Sequence, residues 1–211
     1  MNEFAELKNR LIAGEVEAVH DLVQKALGSG ADPKSVLNDG LIAGMNIVGE
    51  RFKAHEIFLP DVLMSAKAMT AGMEILKPLL IGDASASRGR VVIGTVKGDL
   101  HDIGKNLVGI MLKGAGFDVI DLGRDVAPEV FVQTAEAEGA DVIGLSALLT
   151  TTMGMMGKTV ELLQARGLAG KVKVIIGGAP ISEEYARRIG AQAYGFDAAS
   201  AVDRVRGLTG K

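Results

Sequence analysis

The 211-residue chain contains no cysteine. That absence excludes disulfide frameworks, thiolate metal sites and cysteine nucleophiles, and it suits a reducing compartment such as the cytoplasm. A basic excess is also missing: 23 lysines and arginines stand against 26 aspartates and glutamates, for a net charge of −3. Nucleic acid is therefore not an expected partner. No apolar run approaches the roughly 18 residues that a membrane helix needs, so no membrane partner is expected either. The opening segment MNEFAELKNRLIAGEVEAVHDL is amphipathic and charged, unlike the basic stub and apolar core of a secretory signal. Internal repeats and low-complexity tracts are absent as well.

What is abundant is glycine. Its 28 residues gather mainly after Arg88, which implies that something bulky approaches the backbone there. A hydrophobic share of 48% supplies cores for one large domain or two small ones.

The two parts of the chain follow different patterns. Up to about Leu80 the apolar residues keep helical spacing: Phe4, Leu7, Leu11 and Ile12, then Val16, Val19, Leu22, Val23, Ala26 and Leu27. Asp32-Pro33 reads as an N-cap and first-turn proline, opening a helix through Leu37, Leu41, Met45 and Val48. A fourth helix starts near Leu59-Pro60. Short connections imply antiparallel neighbours and hence a small four-helix bundle. Ile81–Arg90 is small and polar, a linker and candidate hinge. Beyond it, strands are expected at Val91–Val96, Phe117–Leu122, Asp141–Ser146, Val172–Gly177 and Gln192–Phe196. Helices fall between them near Gly104–Gly114, Pro128–Glu138, Gly154–Arg166 and Ser182–Ile189, and a last one runs from Ala198. Such alternation predicts a Rossmann-like, flavodoxin-type α/β domain with a parallel five-stranded sheet. The expected division is a helical domain over 1–85 and an α/β domain over 86–211. In such sheets ligands sit beyond the carboxyl ends of the strands, here the loops starting at Lys97, Gly123, Ala147, Gly178 and Asp197.

The first of these loops holds Gly98-Asp99-Leu100-His101-Asp102-Ile103-Gly104-Lys105-Asn106. It lacks the G-x-G-x-x-G of a dinucleotide site. Gly98 and Gly104-Lys105 come near a phosphate loop, but the spacing is one residue too long and Asn106 replaces the magnesium-binding hydroxyl. There remains a histidine at a ligand-binding edge. A neutral imidazole is a good transition-metal ligand in the correct tautomer, and a carboxylate on the other ring nitrogen fixes that tautomer. Asp99, two residues earlier in an extended loop, is placed for this. Gly104 would let the next helix start against a ligand. A surface histidine beside an unrelated aspartate is the alternative. Ser146-Ala147-Leu148 ends the third strand and Gly177-Gly178 the fourth, so both share an edge with His101. Ser146, Thr150, Thr151 and Thr152 add a hydroxyl-rich rim, and the glycine pair leaves room for a flat group. His20, beside Asp21, reads as solvated. His55 reads as an exposed turn residue with some prospect of reaching a ligand.

Asp99-x-His101-x-x-Gly104, Ser146-x-Leu148 and Gly177-Gly178 together resemble the three-part signature of cobalamin-binding domains in methionine synthase and related corrinoid proteins. Met45–Gly49 and Phe58–Ala66 are similar to the helical cap that precedes this domain in methyl-transferring members. The resemblance spans essentially the whole chain and implies a free-standing corrinoid protein of a methyltransferase system. Such a carrier accepts a methyl group on Co(I) from a donor-specific methyltransferase. It passes the group from methyl-Co(III) to an acceptor, tetrahydrofolate or a thiol coenzyme, through a second enzyme; catalysis belongs to the partners. By the same resemblance His101 binds cobalt from below, Asp99 holds the histidine, and Thr152, where the family often has serine, completes a proton relay. Gly98, Leu100, Asp102, Ile103 and Gly104 surround the ligand loop. Ser146, Leu148, Thr150, Gly177 and Gly178 line the channel for the cofactor's displaced nucleotide tail, and Phe52, Leu59 and Val62 cover the corrin from above. Without the resemblance, those three read as ordinary bundle core.

An adenosylcobalamin-dependent mutase subunit resembles the second half but usually lacks the helical cap. A cobalamin-sensing regulator calls for a DNA-binding module and a basic charge. A flavodoxin-like domain for another small ligand would not need the three motifs together.

Overall fold

The computed structural model describes residues 4–80 and 87–210, which form two compact units, one helical and one α/β. In the helical unit α1 (Ala5–Ile12) and α2 (Val16–Gly28) are amphipathic, and Leu7, Leu11, Val19 and Val23 are buried. Asp32 caps α3 (Pro33–Ser35) by accepting the Ser35 N–H at 3.0 Å, with Pro33 in the first turn. The regular helix expected from there instead widens into a π-helical stretch, Val36–Ile42, before resuming as α4 (Ala43–Lys53). Five of its seven residues (Val36, Leu37, Gly40, Leu41, Ile42) are buried, more than one stripe of a 3.6-residue helix can turn inward. His55 ends α4 in the left-handed region, at φ 59°. Its N–H donates to the Phe52 carbonyl at 3.0 Å and that of Glu56 to Arg51 at 2.9 Å, so His55 serves as the helix stop. In α5 (Leu59–Leu76) the Asp61 carboxylate accepts the Phe58 N–H at 2.8 Å, and a 3-10 turn, Lys77–Leu79, follows. No described helix is long and apolar enough to cross a membrane.

The α/β unit alternates as expected: β1 (Arg90–Thr95), α6 (Ile103–Gly114), β2 (Asp118–Asp121), α7 (Pro128–Glu138), β3 (Val142–Ser146), α8 (Gly154–Ala165), β4 (Lys173–Gly177), α9 (Glu183–Ile189), β5 (Ala193–Gly195) and α10 (Ala198–Thr209). All pairings are parallel, in the order β2-β1-β3-β4-β5. The inner strands are continuous apolar runs, such as Val142–Leu145, because helices cover both faces. The edge strand β2 instead begins and ends on exposed aspartates, which discourage pairing with another chain. Phe131 and Val132 of α7 pack with Met156, Val160 and Leu163 of α8 against Ile143 and Ile176.

Two features of the sheet position the site. β1 pairs with β2 on one side and β3 on the other, so the chain reverses direction across the sheet at β1/β3, where doubly wound sheets open a crevice. The strand ends are also level: Thr95 pairs with Ser146, Ser146 with Gly177, and Gly177 with Gly195. Of the expected linker Ile81–Arg90, residues 81–86 lie outside the described residues. Its end is anchored, because Arg90 N–H donates to Asp141 Oδ2 at 2.8 Å and Asp118 N–H to the Gly89 carbonyl at 3.0 Å.

Candidate functional site

The loop after β1 is a tight construction on a buried base. Asp99 N–H closes a turn on the Val96 carbonyl at 3.1 Å, with Gly98 at φ 83° supplying the positive dihedral that the turn requires. The buried Thr95 hydroxyl donates to the His101 carbonyl at 2.9 Å. Asp99 has no exposed surface. Its Oδ1 accepts the His101 backbone N–H at 3.1 Å and ring Nδ1 at 2.8 Å; its Oδ2 accepts from Leu148 N–H at 2.8 Å, Leu149 N–H at 3.2 Å and Thr152 Oγ1 at 2.7 Å.

Burial by itself would push the Asp99 carboxyl up. The donors from Thr152, His101 and Leu148 outweigh it and hold the group well below the usual carboxylate range. An ionised carboxylate only accepts, so the ring proton of His101 sits on Nδ1 and the Nε2 lone pair is left for another partner. The His101 side chain is 51% exposed although its anchor is fully buried. A rigidly aimed, accessible imidazole nitrogen results.

The sheet edge brings most of the expected residues around it. Thr152 is buried on Asp99, Ser146 ends β3 half-buried, and Thr150 is exposed. Leu100, Leu148 and Leu149, on the loops after β1 and β3, and Ile103, at the start of α6, are exposed apolar side chains. The Asp102 backbone carbonyl accepts the Asn106 N–H at 2.8 Å in the first turn of α6, while Gly104 faces open space, with no neighbouring atom within 4 Å of where a Cβ would stand. The glycine pair has a reason within the protein itself. A Cβ on Gly178, at φ 130°, would lie 1.8 Å from the Ala147 carbonyl oxygen, and one on Gly177 would lie 3.1 Å from that of Gly195. The clearance is used by the protein's own backbone.

Among the described residues no three histidine, aspartate or glutamate side chains converge on a bare ion. A metal at His101 must therefore bring most of its own ligands, and a single free imidazole nitrogen among exposed apolar side chains fits a metal held in a large macrocycle.

Lys105 explains why the loop only approximates a phosphate site. Its side chain is 2% exposed, and its ammonium group is held by both Asp121 oxygens at 2.6 and 2.5 Å and by Asn106 Oδ1 at 2.6 Å, so it ties α6 to the end of β2. Removing the counter-charge from a buried ion is costly. Because the Asp121 side chain is 38% exposed, water can take part of its place. Asp121→Ala is expected to lose about 2–3 kcal/mol in urea unfolding, less than a fully buried pair would cost. Adding Lys105→Met should recover most of the loss; a double variant no more stable than Asp121→Ala alone would refute the pairing energy.

In the helical unit Phe52 and Leu59 are half-buried and Val62 fully buried, while Phe58 is 69% exposed and Leu63 also lies at the surface. His20 is exposed against Asp21, its Nδ1 lying 3.2 Å from Oδ1.

Sequence reasoning missed the Leu148 and Leu149 backbone donors, the Thr95 hydroxyl, the Lys105–Asp121 pair and Asp125. Asp125 accepts the Gly98 N–H at 2.8 Å and the Lys97 ammonium at 3.0 Å, and these donors lower its carboxyl from the ordinary value. Backbone donors leave no mark in a sequence. Asp121, which closes β2, and Asp125, four residues beyond it, are the polar residues that could have signalled this.

Comparison with known proteins identifies the family. Residues 89–204 match a family model described as a B12 binding domain, and a second B12 binding domain model matches residues 3–77. The chain is 48% identical to dimethylamine corrinoid protein 1 of Methanosarcina acetivorans over 204 residues, covering 96% of this chain and 95% of that one. The methanol:cobalamin methyltransferase complex from Methanosarcina barkeri superposes with a TM-score of 0.89 at 32% identity, covering 99% of this chain and 80% of that chain. A cobalamin-binding protein from Desulfitobacterium hafniense does so with a TM-score of 0.80 at 32% identity, covering 97% and 98%. Both parts of the chain are thus matched as B12-binding, which a mutase subunit without the helical part would not give. The chain belongs to the B12-binding corrinoid proteins, the methyl carriers of methyltransferase systems.

Proposed function

We propose that His101 is the lower axial ligand of the corrinoid, held by Asp99 and, through it, by Thr152. The observation that carries this is the direction of the His101 ring: Nδ1 is bound to a buried, ionised carboxylate at 2.8 Å, and Nε2 is left available. A bound corrinoid supplies a cobalt that takes a methyl group from one partner enzyme and gives it to another. The protein's part is to aim, shield and balance protons. In this arrangement the Asp99 carboxylate holds the Nδ1 proton of His101. Thr152 Oγ1 donates into Asp99 Oδ2 at 2.7 Å and completes the relay. Gly98, Leu100, Asp102, Ile103 and Gly104 form the loop against the cofactor, and Ser146, Leu148, Thr150, Gly177 and Gly178 the wall for its tail. Phe52, Leu59 and Val62 belong to a cap domain, residues 1–85, and the site loops to the α/β domain, residues 86–211.

In this reading the carrier works in the cytoplasm between a donor-specific methyltransferase and an acceptor methyltransferase that uses tetrahydrofolate or a thiol coenzyme. The relative at 48% identity is a dimethylamine corrinoid protein, so an enzyme demethylating dimethylamine is the first donor partner to try.

The test is reconstitution with hydroxocobalamin and a visible spectrum of parent and His101→Ala. The parent should bind one equivalent with histidine coordinated, and the variant should lose that signature. Identical spectra for the two would end the assignment of His101.

A further inference from the structure

We propose that Asp125 is a positioning residue for His101, acting through the backbone of the loop that carries it. This rests on the reading of His101 as the lower ligand. Asp125 follows β2, on the far side of β1 from the Leu148–Thr152 loop. It grips the His101 loop at two backbone points: its Oδ1 accepts the Gly98 N–H at 2.8 Å, and its own N–H donates to the Asp99 carbonyl at 3.0 Å. Gly98 and Asp99 are the two residues whose conformation decides where the Asp99 carboxylate points, and that carboxylate aims the imidazole.

The backbone at Asp125 is itself unusual. Its φ of 58° is a left-handed conformation, which aspartate tolerates better than most residues but not freely. The neighbouring Val126 is fixed, with its N–H on the Thr95 carbonyl at 3.0 Å and a parallel bridge from Val126 to Val96. Asp125 is thus held in a strained conformation by the β1–β2 edge, and what that conformation secures is the loop carrying the ligand. Lys97, paired with Oδ2 at 3.0 Å, is more than half exposed. An exposed pair of this kind contributes little, so the hydrogen bond to Gly98 carries the effect rather than the ion pair.

Asp99 is therefore held from two sides. Leu148, Leu149 and Thr152 fix its carboxylate from the β3 loop, and Asp125 fixes its main chain from the β2 loop. Both anchors act on the residue that aims the imidazole.

Three variants separate the contributions. Asp125→Asn keeps an acceptor for Gly98 and tolerates the left-handed backbone; Asp125→Gly keeps only the backbone freedom; Lys97→Ala removes only the ion pair. Apoprotein is measured first, by NMR hydrogen exchange of the Gly98 amide and the His101 Nδ1–H, with thermal unfolding to verify folding. Asp125→Gly should speed both exchanges about ten-fold, the effect of one hydrogen bond. Asp125→Asn and Lys97→Ala should stay near the parent. In the second arm, after loading with hydroxocobalamin, only Asp125→Gly should show a reduced fraction of histidine coordination.

A folded Asp125→Gly with parental His101 exchange would overturn the proposal, as would an Asp125→Asn as impaired as Asp125→Gly. A parent without histidine coordination would instead overturn the ligand assignment, while the apoprotein exchange would still show whether Asp125 orders the loop.

Discussion

Asp99→Ala is expected to lose about 3 kcal/mol of stability as apoprotein, and the histidine signature with it when loaded, because one substitution strands several donors at once. Asp99 accepts five hydrogen bonds, from two backbone groups of the β3 loop, the Thr152 hydroxyl, and the backbone and ring of His101. The Thr152 hydroxyl can turn to the Leu149 carbonyl at 2.9 Å, and the exposed Leu148 and Leu149 let some water in. The cost therefore falls short of the sum of five bonds.

The sign of the pH dependence follows from the donors. A carboxyl lowered in the folded state contributes stability that is fully present above its unfolded value, about 3.9, and lost progressively as pH falls below it. The variant has no such group, so the gap between parent and Asp99→Ala in urea unfolding should be full at neutral pH and narrow in acid. A gap independent of pH would mean that the carboxylate is not the stabilising form. Asp99→Asn should fold better than alanine yet still lose histidine coordination. Its amide N–H turned toward the ring would favour the tautomer with the proton on Nε2, the nitrogen that must be free.

Gly178→Ala is expected to cost at least about 3 kcal/mol, with part of the damage reaching His101, 77 positions away in the chain. At φ 130° an alanine is strained in any surroundings, and here its Cβ would stand 1.8 Å from the Ala147 carbonyl oxygen and 2.9 Å from its carbon. Either the end of β4 or the Ala147 peptide must move. If Ala147 moves, Leu148 moves with it, and the Leu148 N–H is one of the bonds that aim Asp99. Gly177→Ala, facing only the Gly195 carbonyl at 3.1 Å, should cost about 1 kcal/mol, because a few tenths of an ångström relieve it. Urea unfolding ranks the two variants, and the Asp99–His101 ring signal in apoprotein reports the transmitted part. Equal losses for Gly177→Ala and Gly178→Ala would contradict the mechanism.

Much of this was legible because it is periodic or local. The β1, β3 and β4 runs are apolar enough to announce buried parallel strands, Asp32-Pro33 announces a helix start, and Asp99 and His101 are close enough in sequence to be paired by inspection. The strand ends came within two residues for the same reason. The π-helical stretch at Val36–Ile42 was not legible: Leu37, Leu41, Met45 and Val48 fit a regular helix, and only packing decides whether Gly40 and Ile42 turn inward too. The role of His55 as a helix stop was hidden because a helix stop in the left-handed region is normally glycine.

By itself the sequence determined the fold class, the sheet edge on which the site lies, and the pairing of Asp99 with His101, since these depend on hydrophobic period and short spacing. Only the tertiary structure decided how that pair is held. The β1/β3 reversal brings Leu148, Leu149 and Thr152 onto one carboxylate oxygen, and the β2 edge brings Asp125 onto the other side of the same loop. Gly178 was legible as a place for close approach but not as to what approaches, because the Ala147 carbonyl that fills the space belongs to another strand's loop. Such contacts are set by strand order and register, and strand order is not written in any local run of residues.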